Sequence, residues 1–310
     1  MAGNTVVMKY SEEIPLFTQY LESVLDQAGL PEGVVSFVYG DGSVGAELAN
    51  ADVDFISFTG SSATGKKLYQ TAAARMLPVV MELGGSSPGV VFQDANLDEC
   101  VEQIFWQRFS NSAQFCDGLK RLIVHNSIKD DLVSRLVEYA NARVVGEPLN
   151  SETELGPLVA ERQAVKLEEQ VADAVAKGAK VECGGQRPDG LNGAYYLPTI
   201  LTNITKDMRV WTEEVFGLAL PVVGFDTYEE ALELANDTEY GLSGFVYTQD
   251  TDLAQRACAD IKAGSVSTQN ADYYRPECAF GGYKASGVGR TAGFAGFRGV
   301  THIKVVAYQK

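Results

Sequence analysis

Short β-prone runs alternate with longer helical stretches along most of this chain, and that alternation constrains its fold more than any other feature. "VVSFVY" (34–39) and "DFISF" (54–58) are apolar, β-branched runs bounded by Gly and Asp, as buried strands are. Ahead of them, "IPLFTQYLESVLDQAG" predicts a helix. Pro15 suits its first turn, Leu16, Tyr20 and Val24 share a face, and Gly29 ends it. A helix from about Ala63 to Met76 precedes "PVVMEL", and "RLIVH" (121–125) precedes helices over 128–144 and 157–177. "AKVEC", a helix over 228–236, "GFVYT", a helix over 251–262 and "GSVST" continue the pattern. This order predicts an α/β architecture with mainly parallel sheets. Small and turn-forming residues interrupt it at "ELGGSSPG" (82–89), which marks a domain boundary.

Composition removes several function classes. Against 41 Asp plus Glu stand 25 Lys plus Arg, a formal net charge of -16, and such a surface repels nucleic acid. No apolar run reaches membrane-spanning length, and "MAGNTVVMKY" lacks the apolar core of a signal peptide. The 5 cysteines (100, 116, 183, 258 and 278) form no CxxC pair and no Cys/His cluster. That argues against a metal site or a disulfide framework and for reduced thiols in a cytoplasm. With 2 histidines, His125 and His302, histidine-based catalysis has few candidates.

"FTGSSATGKKL" (58–68) carries Gly60, Gly65 and Lys66 at the spacing of a phosphate-binding P-loop, but Lys67 stands where the magnesium ligand belongs. A strand, glycines and a helix N-terminus in succession attract an anion, and Ser61 adds a hydroxyl. The same residues also make an ordinary strand-to-helix turn with a serine cap. No G-x-G-x-x-G follows this strand, and the related "GVGRTAG" near the C-terminus follows no clear strand. Local pattern leaves both readings open.

Five segments in order carry more weight: "FISFTGSSATGK" (55–66), "MELGGSSP" (81–88), "FSNSAQFC" (109–116), "EEVFG" (213–217) and "FGGYKASGVGR" (280–290). Together they resemble the aldehyde dehydrogenase superfamily. The resemblance implies a partial Rossmann-like cofactor-binding domain over 1–84, an α/β catalytic domain over 85–290, and a tail over 291–310 with an oligomerisation strand. It implies an aldehyde substrate, NAD in preference to NADP, and a homo-oligomer. Cys116 then matches the nucleophile, which adds to an aldehyde carbon as a thiolate and leaves a thioester once hydride departs. Glu82 matches the base that takes a proton from Cys116 or from attacking water. Gly60, Ser61 and Gly65 match the pyrophosphate turn, which needs no magnesium ligand. Lys9 resembles the lysine on the adenosine ribose, and Glu12 a carboxylate that accepts both ribose hydroxyls and repels the NADP phosphate. Glu214 and Phe216 look like the nicotinamide-ribose ligand and its ring neighbour. As the activated thiol, Cys116 should alkylate ahead of Cys100, Cys183, Cys258 and Cys278.

Each residue also has a plainer role: a packing thiol, a solvated strand-end carboxylate, a surface Lys9–Glu12 pair, a core phenylalanine. The chain departs from the family pattern at Ala113 (usually Gly), Leu218 and Ala279 (usually Pro), Ser86 (often Lys) and Gln269 (usually Asn, here Asn270 one place on). It also starts inside the family's cofactor-binding domain, without the "WN" dipeptide whose Asn completes an oxyanion hole, a donor worth about a hundred- to a thousandfold in turnover. A shortened relative that binds nucleotide or a partner chain without catalysis is therefore the alternative to a working dehydrogenase.

Overall fold

The structure is a computed structural model that describes residues 2–269 and 271–309; Asn270 lies outside the described residues. In chain order the strands are β1 (Val6–Met8), β2 (Val35–Phe37), β3 (Ile56–Thr59), β4 (Val79–Glu82), β5 (Ser87–Val91), β6 (Leu119–His125), β7 (Lys180–Cys183), β8 (Thr199–Thr202), β9 (Ala219–Phe225), β10 (Ser243–Tyr247), β11 (Ser265–Thr268) and β12 (Gly287–Val288). The α-helices are α1 (Pro15–Gln27), α2 (Gly42–Asn50), α3 (Ser62–Ala74), α4 (Leu97–Phe109), α5 (Asn126–Asn141), α6 (Glu161–Ala176), α7 (Arg209–Thr212), α8 (Tyr228–Asn236), α9 (Thr251–Asp260) and α10 (Gly293–Gly299).

A seven-stranded sheet in the order β11-β10-β5-β6-β9-β8-β7 forms the largest layer, parallel throughout except for β7. Its central strands are apolar on both sides because both faces are covered, as parallel sheets require. In β6, Leu122 and Val124 enter the core under α4, α5 and α6, while Ile123 points to the opposite core under α8 and α9. Val91 and Val90 in β5, and Phe245 and Val246 in β10, divide in the same way. The expected α/β architecture is what forms.

The smaller sheets hold the N-terminal part. β3 and β4 pair in parallel, and β12 returns from far along the chain to pair antiparallel with β4. Met81 and Leu83 pack with Ala72 of α3 into a third core. β1 and β2 form a separate parallel pair. In α1 the stripe of Leu16, Tyr20 and Val24 is exposed, and only Thr18 is buried.

Residues 301–309 form no strand within this chain and are exposed, because a β-prone run becomes a strand only when a neighbour supplies its ladder bonds. The boundary near 82–89 also hides β5, whose Pro88 and Gly89 read as turn residues but lie fully inside the sheet.

Candidate active site

Glu82 is the last residue of β4, where the strand opens into the glycine run before β5. It is buried, with Oε1 accepting from Thr291 Oγ1 at 3.4 Å. Oε2 is buried without a hydrogen-bond partner among the described residues. Burial pushes this carboxyl up from 4.5 to about 7, against the Thr291 hydrogen bond and the charge of Arg290. Such a group exchanges a proton near neutrality.

The glycines that follow permit close approach. A Cβ on Gly84 would lie 2.3 Å from Glu214 Oε2, and one on Gly85 would lie 2.5 Å from the Cys116 carbonyl oxygen. The backbone leaving Glu82 is thereby pressed against both the cysteine loop and the "EEVFG" segment.

That cysteine loop is strained. After α4, Asn111, Ser112 and Ala113 are left-handed, with φ of 50°, 54° and 62°. Ala113 stands where the family usually has glycine, and the conformation costs an alanine about 1 kcal/mol. Hydrogen bonds hold it in place: Ser112 Oγ donates to the Gly156 carbonyl at 2.8 Å, and the Val159 amide donates to Gln114 Oε1 at 2.9 Å. Backbone strain of this kind, fixed by its surroundings, is common at functional sites.

Cys116 is partly buried, its sulfur 3.8 Å from Asp117 Oδ1. Burial, then the Asp117 charge, push its thiol up to about 11, with Lys120 opposing. The side chain is therefore a thiol at neutral pH and needs a base. Asp117 is fixed from the far side by Tyr273, whose hydroxyl donates at 2.6 Å, and by Tyr274. The two tyrosine rings stack with centroids 4.9 Å apart.

Lys120, buried in β6, donates to Glu214 Oε1 at 2.5 Å and to the carbonyls of Gly85 and Cys116, each at 3.0 Å. Its ammonium lies 5.2 Å from the centre of the Phe216 ring. Arg108 of α4 holds the loop that carries Glu214 and Phe216, donating to the Val215 carbonyl at 3.0 Å, to Ala219 at 2.9 Å and to Gly217.

The glycine turn lies beside this cluster. The Gly60 amide donates to the Glu82 carbonyl at 3.1 Å, and Ser62 Oγ to the Ala285 carbonyl at 3.2 Å. Ser61 caps α3, accepting from the Thr64 amide at 3.2 Å. Gly60 and Gly65 make room for Phe58 and Leu83, each 2.4 to 2.5 Å from where a Cβ would be. Lys9 and Glu12 form a salt bridge at 3.4 Å just past β1, and the Glu12 carboxyl is held below its usual range by backbone hydrogen bonding and by Lys9. Among the described residues, no group of three or more His, Cys, Asp or Glu side chains could hold a metal ion.

A partly buried thiol, a raised carboxyl and the Lys120–Glu214 pair lie along one glycine-bound frame. The sequence profile of the aldehyde dehydrogenase family matches residues 1–306. The chain belongs to the aldehyde dehydrogenase family. It is 42% identical over 310 residues to betaine aldehyde dehydrogenase of Bacillus subtilis (strain 168), covering 98% of this chain and 63% of that one. Against peroxisomal aminoaldehyde dehydrogenase 1 of Pisum sativum it is 41% identical, covering 98% of this chain and 61% of that one. A crystal structure of betaine aldehyde dehydrogenase from Staphylococcus aureus in complex with NAD+ superposes with a TM-score of 0.92 at 36% identity. That match covers 95% of this chain and 59% of the other. The chain thus spans about three fifths of the length of these relatives.

Within this aldehyde dehydrogenase frame, Glu82, Cys116, Glu214 and Phe216 converge on one region through Gly84, Gly85 and Lys120, whereas Lys9 and Glu12 stand apart beside β1. Cys278 is exposed, while Cys116 is partly buried with a raised pKa, so Cys278 competes for reagent in the free protein. Sequence reasoning missed Lys120 and Asp117. A detectable signal was the "KR" pair inside "LKRLIV", because cations within a buried strand must find fixed partners. The Tyr273–Asp117 and Tyr274–Asp117 bonds join residues more than 150 positions apart, and no local pattern encodes them.

Proposed function

We propose that this chain oxidises an aldehyde to a carboxylic acid with NAD, using Cys116 as nucleophile and Glu82 as base. The observation that carries this reading is the buried, unpartnered Oε2 of Glu82 with its pKa near 7, on the frame that also fixes Cys116. Glu82 takes the Cys116 proton, and the sulfur adds to the aldehyde carbon to give a thiohemiacetal. Bound NAD supplies the hydride acceptor. Collapse of the thiohemiacetal leaves a thioester on Cys116. Glu82 gives up the first proton to solvent and then takes one from water, whose oxygen attacks the acyl carbon and releases the sulfur as a thiolate.

The cofactor fit rests on residues of this chain. Glu214 keeps a carboxylate against the glycine at position 84, a surface that a Cβ would obstruct, and Phe216 stands beside it. The first turn of α3 presents backbone N–H groups that lack helical partners. Lys9, paired with Glu12 at 3.4 Å, and Glu12 itself suit an adenosine ribose. In this reading residues 1–84 with β12 hold cofactor, residues 85–290 supply the nucleophile, and the chain works as a cytoplasmic homo-oligomer.

The test is NADH formation over an aldehyde panel that includes betaine aldehyde and an aminoaldehyde, the substrates in the relatives' names. Turnover of any of them supports the reading; NAD binding without NADH from any aldehyde favours a binding protein instead. Cofactor choice gives a separate prediction. NAD should bind more tightly than NADP, and Glu12→Ser should narrow the gap by about tenfold by removing a carboxylate that repels the extra phosphate. Calorimetry that finds NADP preferred by the unaltered protein contradicts the role of Glu12.

A further inference from the structure

A lysine ammonium has three N–H donors, and Lys120 has a fixed acceptor for each. They come from three separate pieces of chain: Gly85 in the run after Glu82, Cys116 in the cysteine loop, and Glu214 in "EEVFG". The Gly85 amide also donates to Glu214 Oε1 at 3.0 Å, so that oxygen takes two donors and the carboxylate can point only one way. Its other oxygen lies over Gly84. Burying this cation has a desolvation cost that an apolar side chain of the same volume would avoid. Core packing therefore does not account for a lysine here, whereas ordering its three acceptors does.

We propose that Lys120 is a positioning residue that orients Glu214 toward cofactor and fixes the backbone of Cys116 against the segment that follows Glu82. The proposal rests on the reading of Glu214 as a cofactor carboxylate and Cys116 as the nucleophile. Lys120 touches neither the sulfur nor, in this reading, the aldehyde; it acts through the residues it holds.

The experiment is an NAD-affinity cycle by calorimetry with Lys120→Met, Glu214→Gln and the double variant, each checked by thermal melting. Lys120→Met should weaken NAD by about tenfold or more, because Glu214 loses its main donor. In the Glu214→Gln background the same change should cost less than about twofold, since no carboxylate remains to orient. If Lys120→Met alone does not fold, the charge-free double variant does, and its affinity should match Glu214→Gln. Lys120→Met binding NAD as tightly as the parent, or losses that simply multiply in the double variant, overturns the proposal alone. A parent that binds no NAD defeats the functional reading and the proposal together.

Discussion

Cys116→Ser is expected to lower NADH production by about a thousandfold or more, with NAD affinity and melting temperature close to those of the parent. The substitution keeps shape and size, so the strained loop over 111–113 and the Lys120 bond to the backbone at position 116 are retained. What changes is the reacting atom. A serine hydroxyl is far less acidic than a thiol and less willing to add to a carbonyl at neutral pH, and Lys120 and a base of pKa near 7 do not make up that difference. Asp117, whose Oδ1 lies 3.8 Å from the sulfur, is an anion that already disfavours the thiolate. A variant with more than a tenth of parental turnover would show that another group attacks the aldehyde.

Glu82→Gln should remove about a hundred- to ten-thousandfold of turnover, the range of a positioned base. It should also abolish the acid limb of the pH–rate profile, which in the parent is expected near pH 7, where Glu82 ionises. The same raised pKa has a stability consequence. In the folded protein the carboxyl titrates near 7, and in the unfolded chain near 4.5. Its favourable contribution is thus complete below pH 4.5 and is lost as pH rises through 7. The uncharged glutamine carries no such penalty, so the variant should be more stable than the parent at pH 8 by about 1–3 kcal/mol, with no comparable gain at pH 4. Denaturant melts at the two pH values check this. A variant that loses turnover without gaining stability at high pH would contradict an ionised, poorly solvated Glu82.

The parallel sheet was legible because its strands bury both faces, which writes continuous runs such as "RLIVH" and "GFVYT" into the sequence. Strands that begin with turn residues were not. Pro88 and Gly89 open β5, and a Cβ on Gly89 would lie 2.4 Å from Leu119, so the glycine serves close strand packing rather than a turn. The two-residue β12 is too short to show a period, and its Gly287 is needed because a Cβ there would meet the Met81 carbonyl at 2.0 Å. Cys116 and Glu82 were legible as members of ordered motifs. Lys120 and Asp117 were not, because their meaning lies in partners from distant segments. The glycine turn was read by its spacing, and in the structure Gly60 and Gly65 make room for Phe58 and Leu83, which spacing alone does not encode.

The central claim is that an aldehyde carbon becomes bonded to Cys116. Acid-quenching the protein soon after mixing with NAD and an aldehyde that yields NADH, then mapping peptides by mass, tests that bond directly. The peptide carrying Cys116 should gain the mass of the acyl group, the adduct once formed should be lost more slowly in Glu82→Gln, and Cys278 should remain unmodified. An acyl group on any other residue, or NADH formed with no adduct on Cys116 in either protein, would contradict it.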